Sequence, residues 1–374
     1  MQKGPDFVTM ETRITPLRDE HIARHALMAP FAGWDMPIHY GSILDEARHT
    51  RCAVSIFDIT HMGELFVKEN PAQSSLERAI TVPVTKMKVG RCRYGFLLNE
   101  AGGILDDLIV YRLAENEWMI VVNASNEVQD YEMIRDRLSP PAKIENRSAE
   151  IVKIDVQGPH SIDVMKAIAG DGVSKLSFYE FGRFDFLGGS HIISRTGYTG
   201  ELGYEVYVGR EKGVELWRKL LSEHDVRPAG LGARDILRLE MGYPLYGHEL
   251  TADTTPIEAG LDRFLDMNKE FIGKDTLAKQ IRDGVAKRLI GFCAESRRIP
   301  RHEHLIRIHG VQRGYVTSGV FSPHLNTGIG MGYVDAETAV PGTVIDIVTE
   351  KGSFAATIER IPFLNQTSIK HLEA

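Results

Sequence analysis

Hydrophobic and polar positions along the chain change period several times, and each change predicts an element. In ILDDLIVYRL (104–113) and WMIVVNAS (118–125), β-branched and aromatic residues dominate and turn formers bound both runs. The polar AENE between them predicts a hairpin. In NEVQDYEMIRDRL (126–138) and GVELWRKLLSEH (213–224), apolar residues return every three or four positions, which predicts helices. Strands and helices mix without strict alternation. From about Arg288 onward the pattern shortens to LIGFCAE, EHLIRIHG, RGYVTSGVFS, GIGMGYV, GTVIDIVT and SFAATIERI, punctuated by Gly and Pro. That pattern predicts a small antiparallel barrel or sandwich. No fixed-period repeat and no low-complexity tract interrupts the chain.

Composition narrows the class. At 374 residues the chain is long enough for two or three domains, and 43% hydrophobic with 25% charged residues is ordinary for a folded protein. A net charge of −7 removes the sequence-wide positive field of a general nucleic-acid binder. Two basic clusters, 86–93 (KMKVGRCR) and 297–309 (RRIPRHEHLIRIH), read either as solvated faces or as docking patches for an acidic partner or a polyanionic tail. The three cysteines, Cys52, Cys92 and Cys293, are far apart, so no disulfide framework is readable and a reducing compartment fits. The first fifteen residues contain no apolar core of a signal peptide, and no stretch is long enough to span a membrane. The expected address is the cytoplasm, with no membrane partner.

Four features could carry chemistry. Asp106–Asp107 lie in a predicted strand, where neighbours face opposite ways, so one of the two can enter a given pocket. Asp107 shares its face with Ile109 and Tyr111; a carboxylate there is either placed to meet a cation or a turn-end residue after Gly102–Gly103. RTGYTGELGYEVYV (195–208) spaces Gly197, Gly200 and Gly203 by three but runs into a strand rather than a helix. It therefore reads as a glycine-rich turn between strands, either structural or allowing a ligand's approach, with Tyr198 and Glu205 at its flanks. In GLGARDILRLEMGYPLYGHEL (230–250) a helix begins near Gly230 and runs to about Gly242. Arg234 in its first turn opposes the helix dipole, which hints at a bound partner. His21 and His25 stand at i, i+4, yet no companion carboxylate motif accompanies them, and no metal is expected. No G-x-S-x-G elbow supports a serine nucleophile.

The chain resembles the aminomethyltransferase family, the T-proteins of the glycine cleavage system. The matching stretches are 15–64 (TPLRDEHIARH through THMGE), LLNEAGGILDDLIVY, VVNASN, VQGP, SRTGYTGELGYEVY, 230–250, TPIEAGL, FIGKDTL, IPRHEHLIRI, VTSGVFSPHLNTGIGMGYV and IPF, in the family's order from Thr15 to Phe363. The resemblance implies an α+β fold, a three-domain cloverleaf around a central folate-binding hole. The expected domains are a split folate-binding domain 1 (1–60 plus 150–260), a ferredoxin-like inserted domain 2 (61–149) and a C-terminal small β-barrel domain 3 (261–374). The implied reaction moves the methylene carbon of aminomethyl-lipoyl H-protein to tetrahydrofolate. Its products are 5,10-methylene-tetrahydrofolate, ammonia and dihydrolipoyl H-protein. The implied partners are the lipoylated H-protein and the glycine cleavage complex, with tetrahydrofolate as the one-carbon acceptor.

By the same resemblance, Asp107 is the catalytic carboxylate, and Glu205 and Asn123 recognise the pterin edge. Tyr94 and Tyr198 line its ring, Met62 forms a pocket wall, and Arg234 contacts substrate. The chain departs from the family pattern in places. Thr60 stands where Ser is usual, Val82-Pro83-Val84 where Asn-Asp-Val is common, and Ser368 near where some relatives have Tyr. The alternative is another tetrahydrofolate-dependent one-carbon transferase, an S- or O-demethylase. An iron–sulfur-maintenance relative would carry K-G-C-x-x-G-Q, whereas this chain reads KEFIGKD at 269–275.

Overall fold

The computed structural model describes residues 12–370. A six-stranded sheet runs in the order Phe181–Phe186, Gly189–Ser194, Gly203–Gly209, Ile151–Gln157, Val54–Asp58, Val226–Pro228. Its pairs are antiparallel except the last, which is parallel. Strand alternation splits its side chains cleanly. Val152, Ile154, Val156, Tyr204, Val206 and Val208 bury under the helices Ser161–Ala169 and Gly213–Leu221. The intervening residues Lys153, Asp155, Gln157, Glu205 and Tyr207 are buried too, on the opposite face. A sheet covered on both faces with a charged second face must pair those charges internally, and this one does so at the site described below.

The five-stranded sheet is antiparallel, in the order Cys92–Leu98, Ile104–Ala114, Glu117–Val122, Gly63–Lys68, Lys143–Asn146. One face packs Leu65, Leu108, Val110, Trp118 and Ile120 beneath Leu76–Ala79 and Glu127–Arg137. The other face meets the six-stranded sheet, where Tyr111, Met119 and Val121 pack on Phe181, Ile192 and Tyr207. The hairpin predicted from the sequence is present but tighter: its strands run to Ala114 and from Glu117, so two residues turn rather than the four of AENE. Both predicted helices form, as Glu127–Arg137 and Gly213–Leu221. Val82 and Val84, at the position of one sequence departure, fill the core of this unit.

The C-terminal strands close into a barrel in the order Lys287–Ala294, Thr327–Asp335, Val311–Ser322, Leu305–Ile308, Val344–Thr349, Gly352–Glu359. Full closure removes free edges, which explains why such short strands suffice. The barrel is fastened to the rest through the helix Leu231–Glu240. Arg238 bonds Glu249 and Ser318 at 2.8 Å, while Glu240 accepts from Ser322 and His324 and pairs with Arg51. Removing one member of such a buried pair leaves an uncompensated charge, at a cost of about 3–5 kcal/mol. A three-stranded sheet, Arg13–Ile14, Trp34–His39 and Leu27–Phe31, completes the N-terminal part. The α+β class and the barrel expected from the sequence are both present. No helix among the described residues is long and apolar enough to cross a membrane.

Candidate functional site

The Gly-rich stretch 195–203 leaves one strand and enters another, as its sequence implied. Gly200 has φ +77°, and a Cβ on Gly203 would strike the Gln157 amide at 2.1 Å, so glycine is required for the loop to close on the sheet. This loop aims Tyr198 and Glu205 at the polar face. The Tyr198 hydroxyl donates to the Pro244 carbonyl, its ring stacks on Tyr243 at 5.8 Å, and the Arg234 guanidinium lies 4.8 Å over it.

Glu205 is buried among donors. Its Oε2 accepts from Thr196 at 2.8 Å, Tyr111 at 3.2 Å and Tyr207 at 3.3 Å, and its Oε1 faces the Lys153 ammonium at 3.4 Å. Burial alone would raise its pKa, but Lys153, Thr196 and Arg234 overcome that and hold the carboxyl below the usual range. Oε2 is therefore occupied, and the acceptor capacity left for a ligand is mostly on Oε1. Met62 closes this end, its Sδ 3.7 Å from Lys153 Nζ.

Arg234, read from the sequence as substrate-contacting, forms a 2.7 Å ion pair with Asp155. Asp155 sits directly across the ladder from Glu205, so two carboxylates share one face. Burial pushes the Asp155 carboxyl up to about 7, with Glu205 adding to the rise and Arg234 opposing it.

Asp107 occupies the five-stranded sheet, with both oxygens engaged. Tyr94 donates its hydroxyl to Oδ2 at 2.9 Å, and Asn123 Nδ2 donates to Oδ1 at 2.8 Å. No cation bonds it. Burial and the neighbouring Asp106 charge push it up to about 7. Asp106 points to the opposite face, as alternation requires, but the same Asn123 amide reaches its Oδ1 at 2.8 Å. The two acids are thus joined around the strand edge. Burial, with the Asp107 charge adding to it, raises the Tyr198 hydroxyl, whose ring carries the Arg234 guanidinium.

All seven residues singled out for the site thus fall into two adjoining clusters: Asp107, Asn123 and Tyr94 in one, Glu205, Met62 and Arg234 in the other, with Tyr198 between. Sequence reading missed Lys153 and Asp155. The signal was there, since IVKIDVQ sets charged residues at i, i+2 in an apolar strand, the same irregularity that marked Asp107. It also missed His61 and Glu64 beside Met62. Burial takes His61 down to about 3 and Glu64 up to about 8, and His61 Nδ1 and Glu64 Oε1 have no partner among the described residues. The histidine pair dissolves: the helix ends at Ala23, His25 is exposed, and His21 bonds Asp58 at 2.9 Å and Tyr40 at 2.8 Å. Thr60 caps Asp58 through its backbone N–H at 3.0 Å, and Ser368 accepts from Leu202 N–H at 2.8 Å. In the basic clusters, Lys86 pairs with Asp266 and Arg91 with Glu180, while Arg297 lies over Phe321.

Comparison with known proteins shows the family. Residues 17–269 match the family model "GCVT N-terminal domain", and 287–365 match "Glycine cleavage T-protein C-terminal barrel domain". The chain is 41% identical over 354 residues to an aminomethyltransferase of Halothermothrix orenii, covering 94% of this chain and 99% of that one. It is 40% identical over 350 residues to an aminomethyltransferase of Aquifex aeolicus, covering 94% and 95%. The crystal structure of the glycine cleavage system aminomethyltransferase T from Bartonella henselae superposes with a TM-score of 0.90 at 33% identity, covering 95% and 99% of the two chains.

Proposed function

The chain belongs to the glycine cleavage T-protein (aminomethyltransferase) family, and from that premise we propose that it transfers the methylene carbon of aminomethyl-lipoyl H-protein to tetrahydrofolate. In this reading the carbon loses its bonds to nitrogen and sulfur and gains bonds to two folate nitrogens. The two protons those nitrogens give up end on ammonia and on the dihydrolipoyl sulfur. The observation that supports it best is Asp107, half-buried, bonded by Tyr94 and Asn123 and matched with no cation among the described residues.

As an anion, Asp107 stabilises the positive charge that develops on the aminomethyl carbon. At an effective dielectric near 20 a pair about 4 Å apart gains roughly 4 kcal/mol before desolvation. With its carboxyl near 7 it can also take up or return a proton at neutral pH. Tyr94 and Asn123 hold both oxygens, so the group need not reorganise as charge appears.

The pterin belongs, in this reading, on the Glu205 side. Oε1 of Glu205, Oε1 of Glu64 and Nδ1 of His61 supply unfilled hydrogen-bonding capacity that suits a flat heterocycle with several N–H groups. Tyr198 and Met62 supply the ring contacts and Arg234 the charge toward the tail. The three-domain division at 1–60 with 150–260, 61–149 and 261–374 is part of the same proposal, supported by a separate apolar core under each sheet. So is a cytoplasmic address, which suits three free cysteines.

The test is ammonia release from aminomethylated H-protein by the purified chain. Release that depends on tetrahydrofolate and yields its 5,10-methylene form supports the proposal. Tight folate binding without release would reject the donor and turn attention to S- or O-methyl compounds.

A further inference from the structure

Behind Asp107 lies a third acid that the reaction as described does not use. Asp130 stands one turn into the helix Glu127–Arg137, its N–H bonded to the Asn126 carbonyl at 2.7 Å. Its side chain is 0% exposed, and neither oxygen meets an N–H donor among the described residues. A buried carboxylate with no donor and no bonded cation is an unstable arrangement, whereas a buried carboxylic acid needs only one acceptor for its O–H. Asp106 lies beside it across Asn126, whose carbonyl accepts the Asp130 N–H and whose Nδ2 donates to Asp106 Oδ1 at 3.0 Å, and it supplies that acceptor.

Donor geometry decides which of the two holds the proton. Asp106 already accepts three N–H groups, from Asn123 N at 2.9 Å, Asn123 Nδ2 at 2.8 Å and Asn126 Nδ2 at 3.0 Å, all of which favour its anion. Asp130 accepts none. Burial pushes the Asp130 carboxyl up to about 11, with the Asp106 charge adding to the rise.

We propose that Asp130 is a positioning residue for the reaction: it holds a proton, donates it in a hydrogen bond to Asp106, and so keeps a fixed negative charge behind Asp107. The inference rests on the reading of Asp107 as the reacting carboxylate. The link between the acids is the Asn123 amide, which bonds an oxygen of each at 2.8 Å. Other titratable and charged groups face this cluster from every side. Tyr94 comes from the strand Cys92–Leu98, Tyr198 and Tyr246 from loops, and Arg137 from the helix, where it donates to the Ala79 and Leu98 carbonyls. None of them bonds Asp130. With Asp106 held as an anion, Asp107 ionises only near neutrality. Burial already pushes the Asp106 carboxyl up, and the Asp130 hydrogen bond is the foremost contact opposing that rise, so without this donor Asp106 keeps its proton to higher pH and Asp107 ionises at lower pH.

The experiment compares the pH dependence of kcat for folate-dependent ammonia release in wild type, Asp130→Ala and Asp130→Asn. Wild type should show an acid limb near 7, set by Asp107. Asp130→Ala should move it down by about one unit, since a like charge has been removed. Asp130→Asn, whose amide still donates to Asp106, should leave it in place. A residue that merely supports the fold would lower kcat with the limb unmoved, and an unmoved limb in a folded Asp130→Ala protein overturns the proposal.

Infrared spectra at about pH 9.5, where ordinary carboxyls are ionised, give a second arm that does not need activity or the alanine variant. A carbonyl band of a protonated carboxylic acid should be present in wild type, survive Asp107→Asn and vanish in Asp130→Asn. Absence of the band from wild type, or its persistence in Asp130→Asn, contradicts the proposal. Normal turnover by Asp107→Asn with the band behaving as expected would reject the role of Asp107 while leaving the proton on Asp130.

Discussion

Two buried carboxylates, on sheets that face one another, are driven in opposite directions. Glu205 on the six-stranded sheet has Lys153 beside it, Arg234 nearby and three hydroxyls on one oxygen, and its carboxyl sits below the usual range. Asp107 on the five-stranded sheet has a hydroxyl and an amide, no bonded cation among the described residues, and a second acid behind it, and it rises to about 7. Both are desolvated, so burial does not separate them; the charges of their neighbours do. The difference divides the work. A carboxylate that stays ionised can recognise N–H groups at any working pH, whereas one poised at neutrality can stabilise and exchange charge during a reaction.

The largest expected effect comes from erasing the poised member. Asp107→Asn should lower folate-dependent ammonia release by a hundredfold or more while leaving the folate dissociation constant within about tenfold. Single-turnover kinetics beside a binding titration checks both, and near-normal turnover would dissolve the contrast between the two acids.

Erasing the fixed member should do the reverse. Glu205→Gln is expected to weaken folate binding by about 1–3 kcal/mol, roughly 5- to 150-fold, because a buried charged acceptor is lost. An unchanged dissociation constant would remove Glu205 from the pterin site.

The contrast can also be made to vanish by converting one environment into the other. Lys153→Met removes the cation that holds Glu205 ionised, so its carboxyl should rise toward that of Asp107. Folate affinity should then become pH-dependent, about tenfold weaker at pH 6 than at pH 8, with wild type nearly flat over that range. A variant as flat as wild type would show that the hydroxyls alone keep Glu205 ionised.

The smallest effect is on stability, and its sign follows from the direction of the shift. A carboxyl whose folded pKa is raised contributes stability at low pH that is lost as pH rises through the folded value, here about 7. Asp107→Asn should therefore raise Tm at pH 8 by a few degrees and change it little at pH 5, as scanning calorimetry would resolve. A lower Tm at pH 8 would mean that the wild-type carboxylate is better solvated than its burial implies.

Much of this was legible in the sequence because it is local. The hairpin arms, the short barrel strands and the strand–loop–strand course of 195–208 follow from period and turn residues within a dozen positions. Asp107 stood out because a carboxylate in ILDDLIVY conflicts with its surroundings. What was not legible is pairing. Lys153 meets Glu205, and Arg234 meets Asp155 79 positions away, only after strands from distant parts of the chain become neighbours. Arg234 illustrates the limit: its place in a first turn hinted at a partner, and a partner is present, but within the chain. The His21–His25 spacing shows the same limit in reverse, since the local pattern sets both on one face of a helix and the fold ends that helix at Ala23.

The most direct test of the comparison is a carbon-13 NMR titration of the side-chain carboxyls in the full-length protein, with Asp107 and Glu205 assigned by the loss of their signals in Asp107→Asn and Glu205→Gln. Asp107 is expected to titrate near 7 while Glu205 remains ionised to below the usual carboxylate range. Two carboxyls that titrate together at ordinary values would contradict it.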